Sequence, residues 1–368
     1  MDLAERWADG GAMWLTGRPD GPTLGVPARL VRELDGLGRR FDVDGVALLG
    51  ERAALARLER HGDVSCGGAT RLLPATDGWV AVSLTREDDF ALLEAWLDIT
   101  GDDPWVEVAQ AVGTRRADDV TETAAELGLA VSRLGEATGL PAIIPTRLGD
   151  APPTRDVRAL RVVDLSSLWA GPLCGQLLAD AGMEVVKVES TRRPDGARRG
   201  PKAFFDLMNV AKRLVSLDLT TRDGTSALRE LLLSADVVIE ASRPRALRQM
   251  GIDLHEIAAT GDTKVWVSIT GFGRAHNRVA FGDDAAVAGG LVASDARGPV
   301  FCADAVADPA TGLTAAAAVT DHLASGGRWL LDVSLAGVAA GLAGDWDPVT
   351  VEVTAAPPRA RAPRRLLS

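Results

Sequence analysis

The sequence predicts an α/β protein, with a large domain built on a parallel sheet and a smaller α+β domain ahead of it. Two observations carry this reading. From residue 160 to 270, short apolar strands alternate with helical segments at spacings that demand right-handed crossovers. Residues 1–145 instead mix helical periodicity with one clear strand. A length of 368 residues suits two or three domains.

In the first zone, Asp77-Gly78 marks a turn, and Trp79–Leu84 (WVAVSL) reads as a buried strand. Phe90–Leu97 carries apolar residues at helical spacing, with Glu87, Asp88 and Asp89 enriching its first turn. Four prolines fall between Pro141 and Pro153, which predicts a linker at 146–155 between a unit at 1–145 and another at 156–347. The second zone opens with the strand Leu160–Leu165, followed by a helix at Cys174–Ala181 that Gly182 ends. Strands follow at Glu184–Val188, Leu214–Leu217, Asp236–Ile239 and Lys264–Ile269, with a helix over Gly224–Leu233. The order is Rossmann-like, so ligands belong at the carboxyl ends of the strands. Residues 355–368 (AAPPRARAPRRLLS) lack apolar periodicity and read as a disordered tail.

Composition excludes several functions. With 40 Lys and Arg against 51 Asp and Glu, the net charge is −11, and no basic excess exists to neutralise a nucleic acid. Three cysteines lie more than 100 residues apart, which argues against a disulfide framework. Four histidines show no metal-ligand spacing, so no metal site is expected. No signal peptide or long apolar run is present, and a soluble cytoplasmic protein without membrane contact is the expectation.

No GxGxxG follows the first strand of the large domain. The loop there is Ser166-Ser167-Leu168-Trp169-Ala170-Gly171-Pro172, with the next helix starting near Pro172. Its small residues suit either a plain connection or close approach of a ligand to backbone N–H groups. Among the carboxylates, Asp164, Asp218 and Asp236 lie at strand ends, and Asp283 and Asp284 precede an Ala/Gly run. Asp308 precedes an Ala-rich helix at 312–323, where it would serve as an N-cap with Pro309 at the first helical position.

Residues 160–335 resemble the N-terminal part of the family III CoA-transferases, the CaiB/BaiF family. The matching strings, in family order, are RVVDLSSLWAGPLCGQLLADAGMEVVKVE (161–189), MNVAKRLVSLDLTTRDG (208–224), ADVVIEASRPRALRQMGID (235–253), VWVSITGFG (265–273), VADPATGL (306–313) and GRWLLDVSL (327–335). The resemblance implies a CoA-transferase that moves CoA from an acyl-CoA to a carboxylic acid through an aspartyl-CoA intermediate. Asp308 occupies the nucleophile position, where a helix N-terminus would keep the carboxylate ionised. CoA contacts fall on Trp169 and Ala170, on Leu217, Asp218, Leu219 and Thr220, and on Ala241, Ser242 and Arg243. A basic residue of the family is replaced by Ser190, with Arg192 and Arg193 nearby as substitutes. A family arginine aligns with Gln249, beside Arg248. CoA and acyl-CoA are then substrates, and no permanently bound cofactor is implied.

The first 145 residues resemble the family's C-terminal half, so the halves stand in rearranged order. Leu15–Pro22 is similar to the segment that precedes the nucleophile in ordinary members, but no matching Asp follows. Gly67 and Gly68 resemble the family's glycine-rich loop, which implies an oxyanion-hole role or a plain turn. Ordinary members form interlocked dimers, which implies a homodimer here. Two other readings stay open: a non-catalytic CoA-binding or scaffold homologue, and an α-methylacyl-CoA racemase-like enzyme. The racemases need a His before an Asp, whereas Val279–Asp284 contains none and His276 is displaced.

Overall fold

The computed structural model describes residues 2–154, 156–242 and 245–363. Three helices open the chain: α1 (Leu3–Asp9), α2 (Ala28–Arg40) and α3 (Glu51–Ala56). A small antiparallel sheet follows, with β1 (Thr70–Ala75), β2 (Gly78–Ser83) and β3 (Ala130–Arg133) in that order. Helices α4 (Pro104–Gly113) and α5 (Ala117–Leu127) lie between β2 and β3 in the chain. They close a separate core around Val80, Val82, Val108, Val112, Val120 and Val131.

The large sheet contains β4 (Ile143–Gly149), β5 (Arg161–Asp164), β6 (Glu184–Ser190), β7 (Arg213–Leu217), β8 (Val237–Glu240) and β9 (Val265–Thr270). After a hairpin at Val292–Asp295 and Gly298–Phe301, β10 (Arg328–Ser334) completes it. The spatial order is β4-β10-β9-β8-β5-β6-β7, with every pair parallel except β4–β10. Without β4 this is the doubly wound order, whose switch point falls between β5 and β8. Its inner strands are apolar on both sides. Val162, Val237 and Val267 face one core, and Val163, Val238 and Trp266 face the other. The crossover helices include α6 (Ala170–Asp180) and α7 (Arg222–Leu233). Beyond β9 come α8 (Gly282–Ala288) and the long α9 (Ala307–Ser325).

The fold departs from the sequence reading in five places. The expected boundaries at 145 and 156 cut across the packing, because Trp7, Leu30, Val31 and Leu34 share one core with Leu173, Ala310 and Leu313. The expected linker at 146–155 begins inside β4, which pairs antiparallel with β10. Pro145 is tolerated there because β4 is an edge strand, where one side of the backbone needs no ladder bond. The helical segment at 90–97 is broken into two short helices, Glu87–Phe90 and Leu93–Leu97. The Ala-rich helix starts at Ala307 rather than 312.

The fifth departure is the tail. Residues 355–363 were expected to be disordered, but they lie against the N-terminal helices. Ala356 N donates to Ala8 O, Pro358 fills the space beside Gly11 and Gly50, and Arg361 pairs with buried Glu51 at 2.7 Å. Residues 364–368 lie outside the described residues.

Two close approaches set how the layers meet. A Cβ on Gly312 would come within 2.6 Å of Ala170 O and 3.0 Å of Leu173 Cβ, so α9 and α6 touch almost backbone to backbone. Asp284, fully buried on α8, accepts from Ser83 Oγ of β2 at 3.0 Å and from Ser132 Oγ of β3 at 3.4 Å. It thereby ties the small sheet to the large domain. Burial pushes its carboxyl up to about 7, against the hydrogen bonds from Phe281 N and Ser83.

Two outcomes follow. Gly312→Val should overpack this contact and destabilise the protein by about 1–3 kcal/mol, measured by urea denaturation. Asp284, with its folded pKa raised, contributes most below pH 4 and loses that contribution as pH rises to about 7. Asp284→Asn should therefore gain stability relative to the native chain across that window, at up to about 1.4 kcal/mol per pH unit.

Candidate functional site

The hairpin at 292–301 leads the chain into a strained connection before α9. Ala303 and Ala305 both hold left-handed backbone, with φ of 52° and 44°. Such conformations disfavour any residue with a Cβ. Ala303 N donates to Thr16 Oγ1 at 3.0 Å, and Ala305 N to Asp283 Oδ1 at 3.1 Å. The residue between them, Asp304, is wholly enclosed. Its carboxylate takes two N–H groups of Arg52 from α3, with Nε at 2.9 Å.

Asp308 is the second residue of α9, and Val306 rather than Asp308 holds the N-cap position, without a side-chain cap. The expected capping role is therefore not what this carboxylate does. Partly buried, it accepts from Gly282 N, and a Cβ on Gly282 would lie 2.6 Å from its Oδ2. Burial pushes Asp308 up to about 7, opposed by the charge of Arg52 and reinforced by Asp283 and Asp304. The helix N-terminus does not suffice to hold it at an ordinary carboxylate value. Asp283 is likewise raised to about 6 by burial, with Arg52 opposing.

The loop after β5 converges on the same place. Helix α6 starts at Ala170, two residues before the expected Pro172, and its first residues lie against Gly312, one turn beyond Asp308. Trp169 is buried, edge-on to Phe204 at 5.3 Å, and the Arg52 guanidinium lies 5.3 Å from its ring centroid. Gly171 is required, because a Cβ there would lie 2.2 Å from Ser166 Cβ.

Beneath this loop lies a buried network of charges. Lys187 Nζ donates to Ser166 O at 2.5 Å and pairs with Asp195 at 3.0 Å, while Asp195 Oδ1 accepts from Leu168 N. Lys212 Nζ reaches Asp164 at 2.8 Å and Pro172 O at 2.7 Å. Burial lowers Lys212 to about 8 against the pull of Asp164. Loop 166–172 is thus braced from below by two lysines.

Gly67 and Gly68 form an exposed turn, with Gly68 N bonded to Ser65 O at 2.8 Å. A Cβ on Gly67 would lie 3.4 Å from Arg52 Nη2, so the turn reaches the cluster through that guanidinium. Ser65, two residues earlier, bonds Asp283.

The other expected positions also lie at carboxyl ends of the parallel strands. Leu217 ends β7, and Asp218 accepts from Thr220 N and Oγ1 and pairs with Arg192 at 3.3 Å. Those Thr220 bonds, with Arg192, hold Asp218 below its usual range. Leu219 packs beneath this turn against the sheet's second core. Ala241 and Ser242 follow β8, while Arg243 lies outside the described residues. Arg248 lines a cleft of about 250 Å³ with Glu240, Leu247, Asp253, His255 and Arg274. Glu240 is 1% exposed, and its Oε1 takes Arg274 Nη1 and Trp266 Nε1 while Oε2 has no partner among the described residues.

Arg52, Asp304 and Glu240 were missed by sequence reasoning. Arg52 sits in GERAALARLER, where nothing distinguishes it from its neighbouring arginines. Among the described residues, no group of three or more His, Cys, Asp or Glu side chains is placed to hold a metal ion, and no helix is long and apolar enough to cross a membrane.

Comparison with known proteins follows the same segment. The chain is 31% identical over 149 residues to the succinyl-CoA–D-citramalate CoA-transferase of Chloroflexus aurantiacus, covering 38% of this chain and 37% of that protein. It is 35% identical over 128 residues to the succinate–glutarate CoA-transferase of Agrobacterium fabrum, covering 31% and 32%. The chain thus spans about a third of the length of these curated relatives. A CaiB/BaiF family protein from Brucella suis is similar in structure at 30% identity, with a TM-score of 0.48 over 52% of this chain and 55% of that one. Rv3272 from Mycobacterium tuberculosis gives 28% identity and a TM-score of 0.47 over 52% and 56%. The model of CoA-transferase family III matches residues 158–349, and the chain belongs to that family.

Proposed function

We propose that the protein transfers CoA from an acyl-CoA to a carboxylic acid, with Asp308 as nucleophile. One observation carries the reading: an ionisable, partly exposed carboxylate stands at the start of α9, one turn before α9 packs against the first residues of α6. Family membership and the relatives named as CoA-transferases support the reaction class.

In this mechanism an Asp308 oxygen attacks the thioester carbonyl, the C–S bond breaks, and a mixed anhydride forms as CoA thiolate leaves. The thiolate then attacks the aspartyl carbonyl, releasing the donor's acid as carboxylate and leaving an aspartyl-CoA thioester. The acceptor carboxylate attacks this thioester to give a second anhydride. Returning thiolate takes the new acyl group and restores Asp308. Thiolate is held between steps, which suits a site whose CoA-facing loop is rigid. Lys187 and Lys212 supply that rigidity by holding Ser166 O and Pro172 O. Gly67 and Gly68 leave backbone uncovered on the Arg52 side, where an acyl oxygen can approach. The cleft at Glu240 and Arg248, together with Arg192 held by Asp218, is the region we assign to the nucleotide end of CoA.

A racemase would need an imidazole opposite the carboxylate. The charged neighbours of Asp308 are Arg52, Asp283 and Asp304, and His276 is exposed near Asp332 instead.

A transfer assay tests the proposal. Asp308→Ala should lower the rate by at least about a thousandfold, and hydroxylamine should trap an activated Asp308 only when acyl-CoA is present. Transfer by Asp308→Ala at native rate would overturn the assignment, and CoA binding without turnover by the native chain would favour a scaffold role. Because attack needs the carboxylate and its pKa is raised to about 7, the native rate should climb about tenfold per pH unit below that value and level off above it.

A further inference from the structure

We infer that Arg52 is the positioning residue of Asp308, and that Asp304 is the anchor that holds Arg52 in place. The inference rests on Asp308 being the nucleophile. Arg52 comes from the N-terminal stretch, outside the segment that matches the family.

Three independent features of the fold converge on this guanidinium. Its N–H groups are taken by a carboxylate that has no solvent exposure, and so has few other partners. Its face lies on Trp169, the N-cap residue just before α6. Its flank lies beside Gly67, where a Cβ would sit 3.4 Å from Nη2, in van der Waals contact. The backbone adopts left-handed geometry on both sides of Asp304, at Ala303 and Ala305, and local strain of this kind persists only where the surroundings enforce it. On the opposite side, Glu51 is pinned by Arg361, which fixes the start of the helix that carries Arg52.

The charges facing Asp308 are therefore one cation, Arg52, against two anions, Asp283 and Asp304. Cys66 lies beside Asp304, Asp283 and Arg52, and burial pushes its thiol well up. The Arg52 side chain as a whole is 29% exposed. Arg52 favours the ionised nucleophile, and Asp304 opposes this while orienting Arg52. Removing one or the other should move the acid limb in opposite directions. A residue that merely stabilised the fold would lower the rate at every pH instead.

The test is the pH profile of kcat/KM for Arg52→Met, Arg52→Lys and Asp304→Asn, with the carboxyl NMR titration of Asp308 as a readout independent of turnover. Arg52→Met should lose at least about tenfold at pH 6 and recover to within about threefold of native at pH 9, since one pKa unit is tenfold in ionised fraction. Arg52→Lys, which keeps the charge without the forked geometry, should fall between, and it also serves if the methionine variant does not fold. Asp304→Asn should shift the limb and the titration to lower pH. A uniform loss across pH in all three variants, or an unmoved Asp308 titration, would overturn the inference. If Asp308→Ala keeps transferring CoA, the nucleophile assignment fails separately, whatever the titration shows.

Discussion

One guanidinium serves three carboxylates in a space that burial keeps largely from water, and much of the molecule is arranged around that shortage of positive charge. Asp304 is fully enclosed, so its anion is tolerable only with Arg52 forked onto it. Asp283 and Asp308 feel the same cation through space without a hydrogen bond to it, and both are raised. Desolvation alone would neutralise them. Arg52 pulls both back down. Burial and the single cation together leave both groups raised to about 6 and about 7, where a small change in surroundings alters the ionised fraction most at neutral pH.

This constraint explains why the chain's first helices are built into the large domain rather than standing apart. Arg52 can reach Asp304 only if α3 lies against the entry to α9, and α1 and α2 bring it there by sharing the core of Leu173, Ala310 and Leu313. The doubly wound sheet supplies the other side of the site. Its loops emerge at one edge, and the loop after β5 is braced by Lys187 of β6 and by Lys212, which immediately precedes β7. Two buried lysines beneath this loop would be costly without partners, and each has a carboxylate and a carbonyl to answer it.

The sheet was largely legible from the residues because its strands are continuous apolar runs that need burial on both faces. The position of Asp308 was legible too, through the order of strings shared with a family. What could not be read were the long-range contacts. Nothing local in ERAALARLER marks Arg52, whose partner lies 252 residues away. The strand at 143–149 was hidden by Pro145 and by the prolines flanking it, which signal a linker unless the strand is known to lie at an edge. The stretch at 355–363 has no periodicity because it forms no helix or strand, yet it is held by single contacts at Ala356, Pro358 and Arg361. Periodicity reports regular structure, so an extended strap bound by a few residues is invisible to it. The capping role expected of Asp308 failed for a related reason: the helix begins one residue before it, which turns a cap into a side chain facing the cluster.

That strap bears on how the molecule can be handled in the laboratory. Any purification handle or fused partner joined after Ser368 would hang seven residues from the ion pair between Arg361 and Glu51. Its drag would be felt first by the turn of helix that presents Arg52. A bulky fusion at that end is consequently a perturbation of the Arg52–Asp304 pair, even though it is attached far away in the chain.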